Sequence, residues 1–221
     1  AGGPASYALT DGHWNPDERA ADHPLTPHLG QPLELEFTGE IACVYCGRKS
    51  KKTFGQGFCY PCFRARAEAD QCIVRPELCH YHVPDDPCRD DDFAHRHCFQ
   101  PHVLYVALTS APKVGITRRE NIPTRWLDQG ATLAIPLAEL PDRRTVGLLE
   151  ARLRDEVGLA DRTHWTRLLK QEAGEGDLLA VVNRVADQLA AWDVPLLPAE
   201  RRVEHAFAYP VLAYPQKVKS F

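Results

Sequence analysis

The chain has 221 residues, 44% hydrophobic and 25% charged, with 18 prolines and 8 cysteines, the composition of a folded globular protein rich in loops. Its formal net charge of -4 excludes a polycation that would hold nucleic acid through a global field, so only a local patch remains for that purpose. No apolar run approaches the roughly 18 residues of a membrane span, and Ala1-Gly2-Gly3-Pro4 resembles no signal segment; a cytoplasmic protein whose cysteines bind metal, with no membrane partner, is the expectation.

Residues 1–32 are rich in Pro, Gly, Asp and His and lack periodicity. They read as a poorly ordered N-terminal arm, with Trp14 as its one anchor. Leu33-Glu34-Leu35-Glu36-Phe37 alternates and predicts a strand. Residues 33–101 form a cysteine-rich module, dense in Cys, His and aromatics but poor in Leu and Ile, so a metal must supply the order that an oily core would. A helical turn is predicted at Phe63 to Glu68.

Residues 102–221 read as an α/β domain. Val103 to Thr109 predicts a buried strand, Ser110-Ala111-Pro112 a turn, and Lys113 to Thr117 a second strand, together a hairpin. Pro123 opens a short helix closed by Gly130, and Ala131 to Leu137 is another strand. Asp142 caps a helix running to Gly158 with a stripe of Val146, Leu149, Leu153 and Val157. Thr163 to Gln171 is a short helix, and Asp177 to Trp192 a longer one. Ala206 to Val218 is an edge strand or an extended wrap. Trp126 and Trp165 are expected in the core.

Cys43-x2-Cys46 and Cys59-x2-Cys62 are two CxxC pairs a dozen residues apart. Each pair turns two sulfurs toward one tetrahedral centre, and Gly47, Gly55 and Gly57 give the turns between them. Four ligands fill the shell, so a structural zinc is expected, with Lys49, Lys51 and Lys52 partly offsetting its charge. Cys72, Cys79, Cys88 and Cys98 predict a second structural zinc. Four thiolates are the simplest ligand set, with His80 or His97 in place of one cysteine as the alternative.

Charge is divided unevenly. Residues 1–104 carry 10 Lys/Arg against 15 Asp/Glu, and the remainder 16 against 15. The locally basic stretch is Lys113 to Arg125, where Lys113, Arg118, Arg119 and Arg125 face a single Glu120. Arg125 and Gln129 share a helix face, and Tyr105 faces the same way as Ala107 and Thr109. Cations, a phenol and a carboxylate are the tools of phosphoryl transfer. Glu150 is the candidate carboxylate, since it follows the largely apolar Val146-Gly147-Leu148-Leu149; a pairing with Arg154 one turn on is its plain structural explanation.

The runs His102-Val103-Leu104-Tyr105-Val106-Ala107, Lys113-Val114-Gly115-Ile116-Thr117-Arg118 and Pro123-Thr124-Arg125-Trp126-Leu127-Asp128-Gln129-Gly130-Ala131 resemble the DUF2797 family of bacterial and archaeal proteins. So do Gly57-Phe58-Cys59-Tyr60-Pro61-Cys62-Phe63, Pro76-Glu77-Leu78-Cys79-His80, Gly147-Leu148-Leu149-Glu150 and the region around Thr163-His164-Trp165, where the family usually has Asn in place of His164. The hairpin further resembles the GIY-YIG nuclease fold, with Leu104-Tyr105-Val106 on the first motif and Lys113-Val114-Gly115 on the second. That resemblance implies an α+β fold with a small mixed sheet flanked by helices, a phosphate contact at Arg125 and a magnesium or manganese ion at Glu150. It implies a tyrosine, matched by Tyr105, as general base or water-orienting group. Lys113 stands where the second motif places tyrosine, and would have to be neutral to act as a base.

The resulting expectation is a divalent-metal-dependent phosphodiesterase or nuclease-like hydrolase acting on nucleic acid or a phosphate-containing small molecule. Tyr105, Lys113, Arg125 and Glu150 are the candidate catalytic residues, and Thr117, Arg118, Arg119, Gln129 and His164 the candidate substrate contacts. The alternatives are a non-catalytic nucleic-acid-binding zinc protein and a different small-molecule reaction on the same scaffold.

Overall fold

The computed structural model describes residues 5–9, 23–170 and 177–217, in two compact units, Ser6–Ala94 and His95–Phe221, the latter joined by Ala5. Trp14 lies outside the described residues, as do Gln171 and Val218, the last positions of the expected 163–171 helix and C-terminal tail.

In the Ser6–Ala94 unit, most of the arm expected to be poorly ordered also lies outside the described residues. Its described part pairs Ala8–Leu9 (β1) antiparallel with His23–Pro24 (β2). Leu33, Leu35 and Phe37 do not form the expected strand: they are exposed, Leu35 by 76% and Phe37 by 74%. Alternation supplies a face, but a strand also needs a neighbour for its backbone groups, and none of the described strands pairs with this segment.

Next comes a turn bridged between Ala42 and Lys49, then one between Phe54 and Phe58. The helix Tyr60–Ala65 (α1) follows, with Pro61 in its first turn; it begins three residues before the expected helical turn because proline is favoured there. Val44 N–H donates to Gly57 O at 3.0 Å and ties the two turns together. Gly57 has φ of +105°, and a Cβ there would sit 2.6 Å from Val44 Cγ1, so only glycine permits this approach. Three short 3-10 turns lead to the one-turn helix Asp91–Phe93 (α2), which runs on into a π turn, Ala94–Cys98.

The His95–Phe221 unit is built on a four-stranded sheet. His102–Leu108 (β3) and Pro112–Arg118 (β4) form the expected hairpin, the short helix Thr124–Asp128 (α3) follows, and Leu133–Leu140 (β5) pairs on the other side of β3. His205–Ala206 (β6) completes the order β4-β3-β5-β6. Each described pairing is antiparallel, which corrects the expected mixed sheet. Neighbouring strands are entered from opposite ends, and no crossover returns the chain to start a parallel neighbour.

The two faces of the sheet are covered differently. Leu104 and Val106 of β3, Val114 of β4 and Leu137 of β5 pack with Val146, Leu149 and Leu153 of Arg143–Val157 (α4) and with Val182, Val185 and Leu189 of Leu178–Ala191 (α6). Asp142 caps α4 and Gly158 ends it, as expected. The opposite face carries a smaller cluster of Tyr105, Ala107, Trp126, Ala131 and Ala134, with Phe207 from the tail packed on it. Trp126 is wholly buried, but Trp165, on Trp165–Leu169 (α5), is 52% exposed, against the expected core position. Its five-residue helix instead turns Leu168 toward Gly130, where a Cβ would lie 2.7 Å from Leu168 Cδ2. None of the described helices is long and apolar enough to cross a membrane.

Candidate functional site

The four sulfurs of Cys43, Cys46, Cys59 and Cys62 lie within 4.8 Å of one another. Two zinc–sulfur bonds of about 2.3 Å at a tetrahedral angle place their sulfurs about 3.8 Å apart, and Cys46 Sγ and Cys59 Sγ are 3.8 Å apart. Backbone geometry delivers this set. Gly47 N–H donates to Cys43 O at 2.9 Å to close the first knuckle, while Cys59 caps α1 and puts Cys62 in its first turn.

The thiols press on each other's charge. Burial, together with the neighbouring thiols Cys59, Cys46 and Cys43, pushes Cys62 up to about 12. Burial also works to raise Cys43, but the backbone N–H groups of Cys59, Cys46 and Tyr45 outweigh it and bring the thiol down to about 6. Four crowded sulfurs cannot all ionise without a cation among them. The residues therefore fit a zinc ion, which would hold this unit in shape and leave no coordination position for chemistry. Of the lysines expected to offset its charge, Lys49 pairs with Glu40, and Lys52 lies over the Phe54 ring at 5.1 Å.

A second set of close donors in this unit is Asp70, Cys72 and His80. Of the cysteines expected at a second zinc, this set holds Cys72. Cys88 Sγ faces Asp90 O at 3.5 Å. Burial, reinforced by the charges of Arg118 and Arg143, holds the His97 imidazole down at about 3.

In the His95–Phe221 unit, the structure brings five of the expected residues together at the β4 edge. The register opposes Tyr105 to Gly115 and Ala107 to Lys113, so Tyr105 and Lys113 stand on one face of the sheet. Gly115 makes room for the ring: a Cβ there would meet Tyr105 Cζ and Oη at 2.6 Å. The Tyr105 hydroxyl lies 2.8 Å from the Gln129 amide. Turned so that its oxygen faces Arg125, that amide donates to Tyr105 Oη at 2.8 Å and accepts from Arg125 Nε at 3.3 Å and Nη2 at 3.2 Å. The predicted Arg125–Gln129 face is thus a real contact, and Trp126 packs edge-on against Tyr105 with ring centroids 5.6 Å apart.

Burial raises Tyr105 far above the ordinary phenol range, with the Glu150 charge adding to it; the charge of Arg125 and hydrogen bonds from Arg125 and Gln129 pull the other way and lose. Tyr105 therefore stays a protonated phenol. Lys113 is 3% exposed, and burial, helped by the Arg125 charge, brings its ammonium down to about 8 against the pull of Glu150 and Asp161. The neutral lysine that sequence gave no reason to expect is within reach of ordinary pH. Glu150 is half-buried on α4, and Arg125 is exposed. Arg154, named as the structural partner of Glu150, is bonded to Asp155 at 2.8 Å and to Asp161 at 3.2 Å.

The other candidates sit elsewhere. Arg118 pairs with Glu120 at 2.6 Å, and Arg119 with Glu139 at 3.1 Å. Both lie at the far end of β4, roughly 16 Å from Lys113 at the usual rise per residue. Thr117 is buried on the Lys113 face near that end. His164 is exposed, and its N–H donates to Ser110 Oγ at 3.2 Å, beside the β3–β4 turn. Asp161 was missed: it follows the helix that carries Glu150, and its charge reaches Lys113 because Ala160 O accepts from Val114 N–H at 2.9 Å along the β4 edge. An Asp just past a glycine helix cap carries no sequence signal of that pairing.

No curated protein and no solved structure matches the chain. The family model described as a protein of unknown function, DUF2797, matches residues 30–221, and the chain belongs to that family.

Proposed function

We propose that the His95–Phe221 unit is a divalent-metal-dependent phosphodiesterase on a GIY-YIG-like scaffold, acting on nucleic acid or a nucleotide. The observation that supports it is the grouping of a low-titrating lysine, an arginine held by an amide and a phenol, and a half-buried carboxylate around one sheet edge. Arg125 is the exposed member and contacts the phosphate, with its guanidinium held in place by Gln129 and Tyr105. Tyr105 keeps its proton and acts as a positioning residue.

Lys113 takes the base's role. With a value near 8, about a tenth of it is neutral at pH 7, and Nζ accepts the proton of the attacking water as its oxygen bonds to phosphorus and the bridging P–O bond breaks, the leaving oxygen taking a proton from solvent; in its charged form the lysine offsets phosphate charge. Glu150 would hold magnesium or manganese, and such an ion supplies positive charge to the phosphate oxygens when bound. The four-cysteine zinc takes no part in the reaction.

A second reading, a binding module that has lost the reaction, draws on one feature: a lysine stands at the motif tyrosine, and the one remaining tyrosine is too buried to ionise. Cleavage of a labelled panel of DNA, RNA and structured RNA with magnesium or manganese tests both, with wild type beside Glu150→Gln. Metal-dependent products lost in the variant, with zinc content unchanged, support the hydrolase. Salt-sensitive binding without products, weakened by Arg125→Ala, replaces it with the binding module.

A further inference from the structure

Asp70, Cys72 and His80 belong to neither the four-cysteine centre nor the sheet-edge cluster, and the way they are held has a direction. His80 Nδ1 lies 2.6 Å from Asp86 O. A carbonyl only accepts, so Nδ1 carries the proton, and in the neutral ring Nε2 presents a bare lone pair. That nitrogen faces Asp70 Oδ2 at 3.3 Å, an ion pair when the ring is charged and two acceptors that a shared cation can join when it is neutral. Two donors bound to zinc at about 2.0 Å and a tetrahedral angle stand about 3.3 Å apart. Cys72 Sγ completes the group within 4.8 Å.

Outer partners fix the carboxylate as well. Asp70 Oδ1 accepts from Cys72 N–H at 3.1 Å, so the backbone that carries the sulfur also sets the angle of the carboxylate. Arg89 Nη2 binds Asp70 Oδ2 at 3.1 Å, while its Nη1 donates to Phe63 O at 3.2 Å and Arg66 O at 3.1 Å. A carboxylate held by a backbone N–H and an arginine, beside an imidazole held by a carbonyl, is the outer-shell pattern of a metal site. Both side chains are largely shielded from solvent.

We propose that Asp70, Cys72 and His80 bind a second zinc ion, in place of the four thiolates Cys72, Cys79, Cys88 and Cys98. One thiolate, one imidazole and one carboxylate suit zinc among the common divalent ions. Asp70, Cys72 and His80 supply three of the four ligands of a tetrahedral zinc.

Zinc content of the purified full chain tests the assignment by elemental analysis. Two ions per wild-type chain are expected, falling to one in Cys72→Ser and His80→Ala and staying at two in Cys79→Ser, Cys88→Ser and Cys98→Ser. Arg89→Ala should weaken the second ion about 10- to 100-fold. X-ray absorption on the wild-type zinc protein gives a reading that needs no variant to fold. Five sulfurs shared by two ions average about 2.5 per zinc, whereas two all-thiolate sites give 4. One zinc per wild-type chain, with His80 charged against Asp70, overturns the proposal. So does an average of four sulfurs, or loss of the second ion in the Cys79, Cys88 or Cys98 variants with retention in His80→Ala.

Discussion

The two units are ordered by different means. Around Cys43 and Cys59, the cluster in the Ser6–Ala94 unit has Phe58 as its one large wholly buried side chain, with Val44, Tyr45 and Phe63 half-buried against it, a small apolar area against the entropy of fixing its many turns. The His95–Phe221 unit instead encloses Leu104, Leu137, Val146, Leu153, Val185 and Leu189 between sheet and helices, a core of ordinary kind. A zinc ion at the four cysteines would tie one unit by a few strong directional bonds, while the other is held by the sum of many weak contacts. Their failures should therefore differ in kind as well as size.

The widest separation comes from removing zinc. Structural zinc contributes on the order of 10 kcal/mol or more to a module without its own core. A chelator, or Cys59→Ser, should abolish hydrogen-exchange protection across residues 41–65 while residues 102–157 keep theirs. Protection that survives in 41–65 would mean that the apolar cluster orders this unit unaided, and the contrast between the units would collapse.

Leu153→Ala is the mirror experiment. Leu153 is wholly buried between α4 and the sheet, and its truncation should cost about 3 kcal/mol, within the usual 2–5 for such a site. Denaturant unfolding followed by exchange in β3 and β5 measures it, and zinc content should be unchanged. A loss below about 1 kcal/mol would show that the core closes over the gap and is less tightly packed than its burial indicates.

The same contrast governs what could be read from sequence. Metal spacing is local, so Cys43, Cys46, Cys59 and Cys62 were legible: the signal lies within twenty residues and needs no tertiary partner. The stripe of α4 and its Asp142 cap were legible for the same reason. What failed depended on distant neighbours. Leu33 to Phe37 alternates like a strand but finds no partner strand among the described residues. Arg119 reads as a substrate contact set against Glu120, whereas Glu139, twenty residues further on, pairs with it. Nothing in the residues around Lys113 marks it as buried, and only the packed sheet removes its water. Asp70 was invisible because its relation to His80 rests on a chain of turns with no periodicity.

Lys113 supplies the third test, since a buried lysine leaves a mark on stability that depends on pH. Its folded value is about 8, below the ordinary 10.5. Under pH 8 both states hold the proton, and the cost of burying the charge is complete. Between 8 and 10.5 the unfolded chain holds more protons than the folded one, so stability rises with pH until that cost is gone. Two and a half pH units correspond to about 3 kcal/mol. Relative to Lys113→Met, wild type should gain about that much between pH 7 and pH 10.5 in unfolding experiments. A difference between the two proteins that stays flat with pH would place the ammonium in water and remove the basis for its role as a base.

The smallest effect probes whether α4 is held by its end or by its face. Asp142 Oδ1 accepts the Thr145 N–H at 2.8 Å, and Oδ2 accepts the Thr145 hydroxyl at 2.7 Å. Asp142→Ala should cost about 1 kcal/mol and lower the melting temperature by a few degrees. Glu150 lies eight residues beyond the cap, about two turns into the helix, on a segment pinned by Val146, Leu149 and Leu153. Fraying should therefore stop at the first turn, with amide protection around Glu150 unchanged. If protection falls there too, the helix that carries the candidate metal ligand depends on its cap as the four-cysteine unit depends on its ligands. The division between directional bonds and packed area would then run through the sheet unit itself, with α4 on the side of the bonds.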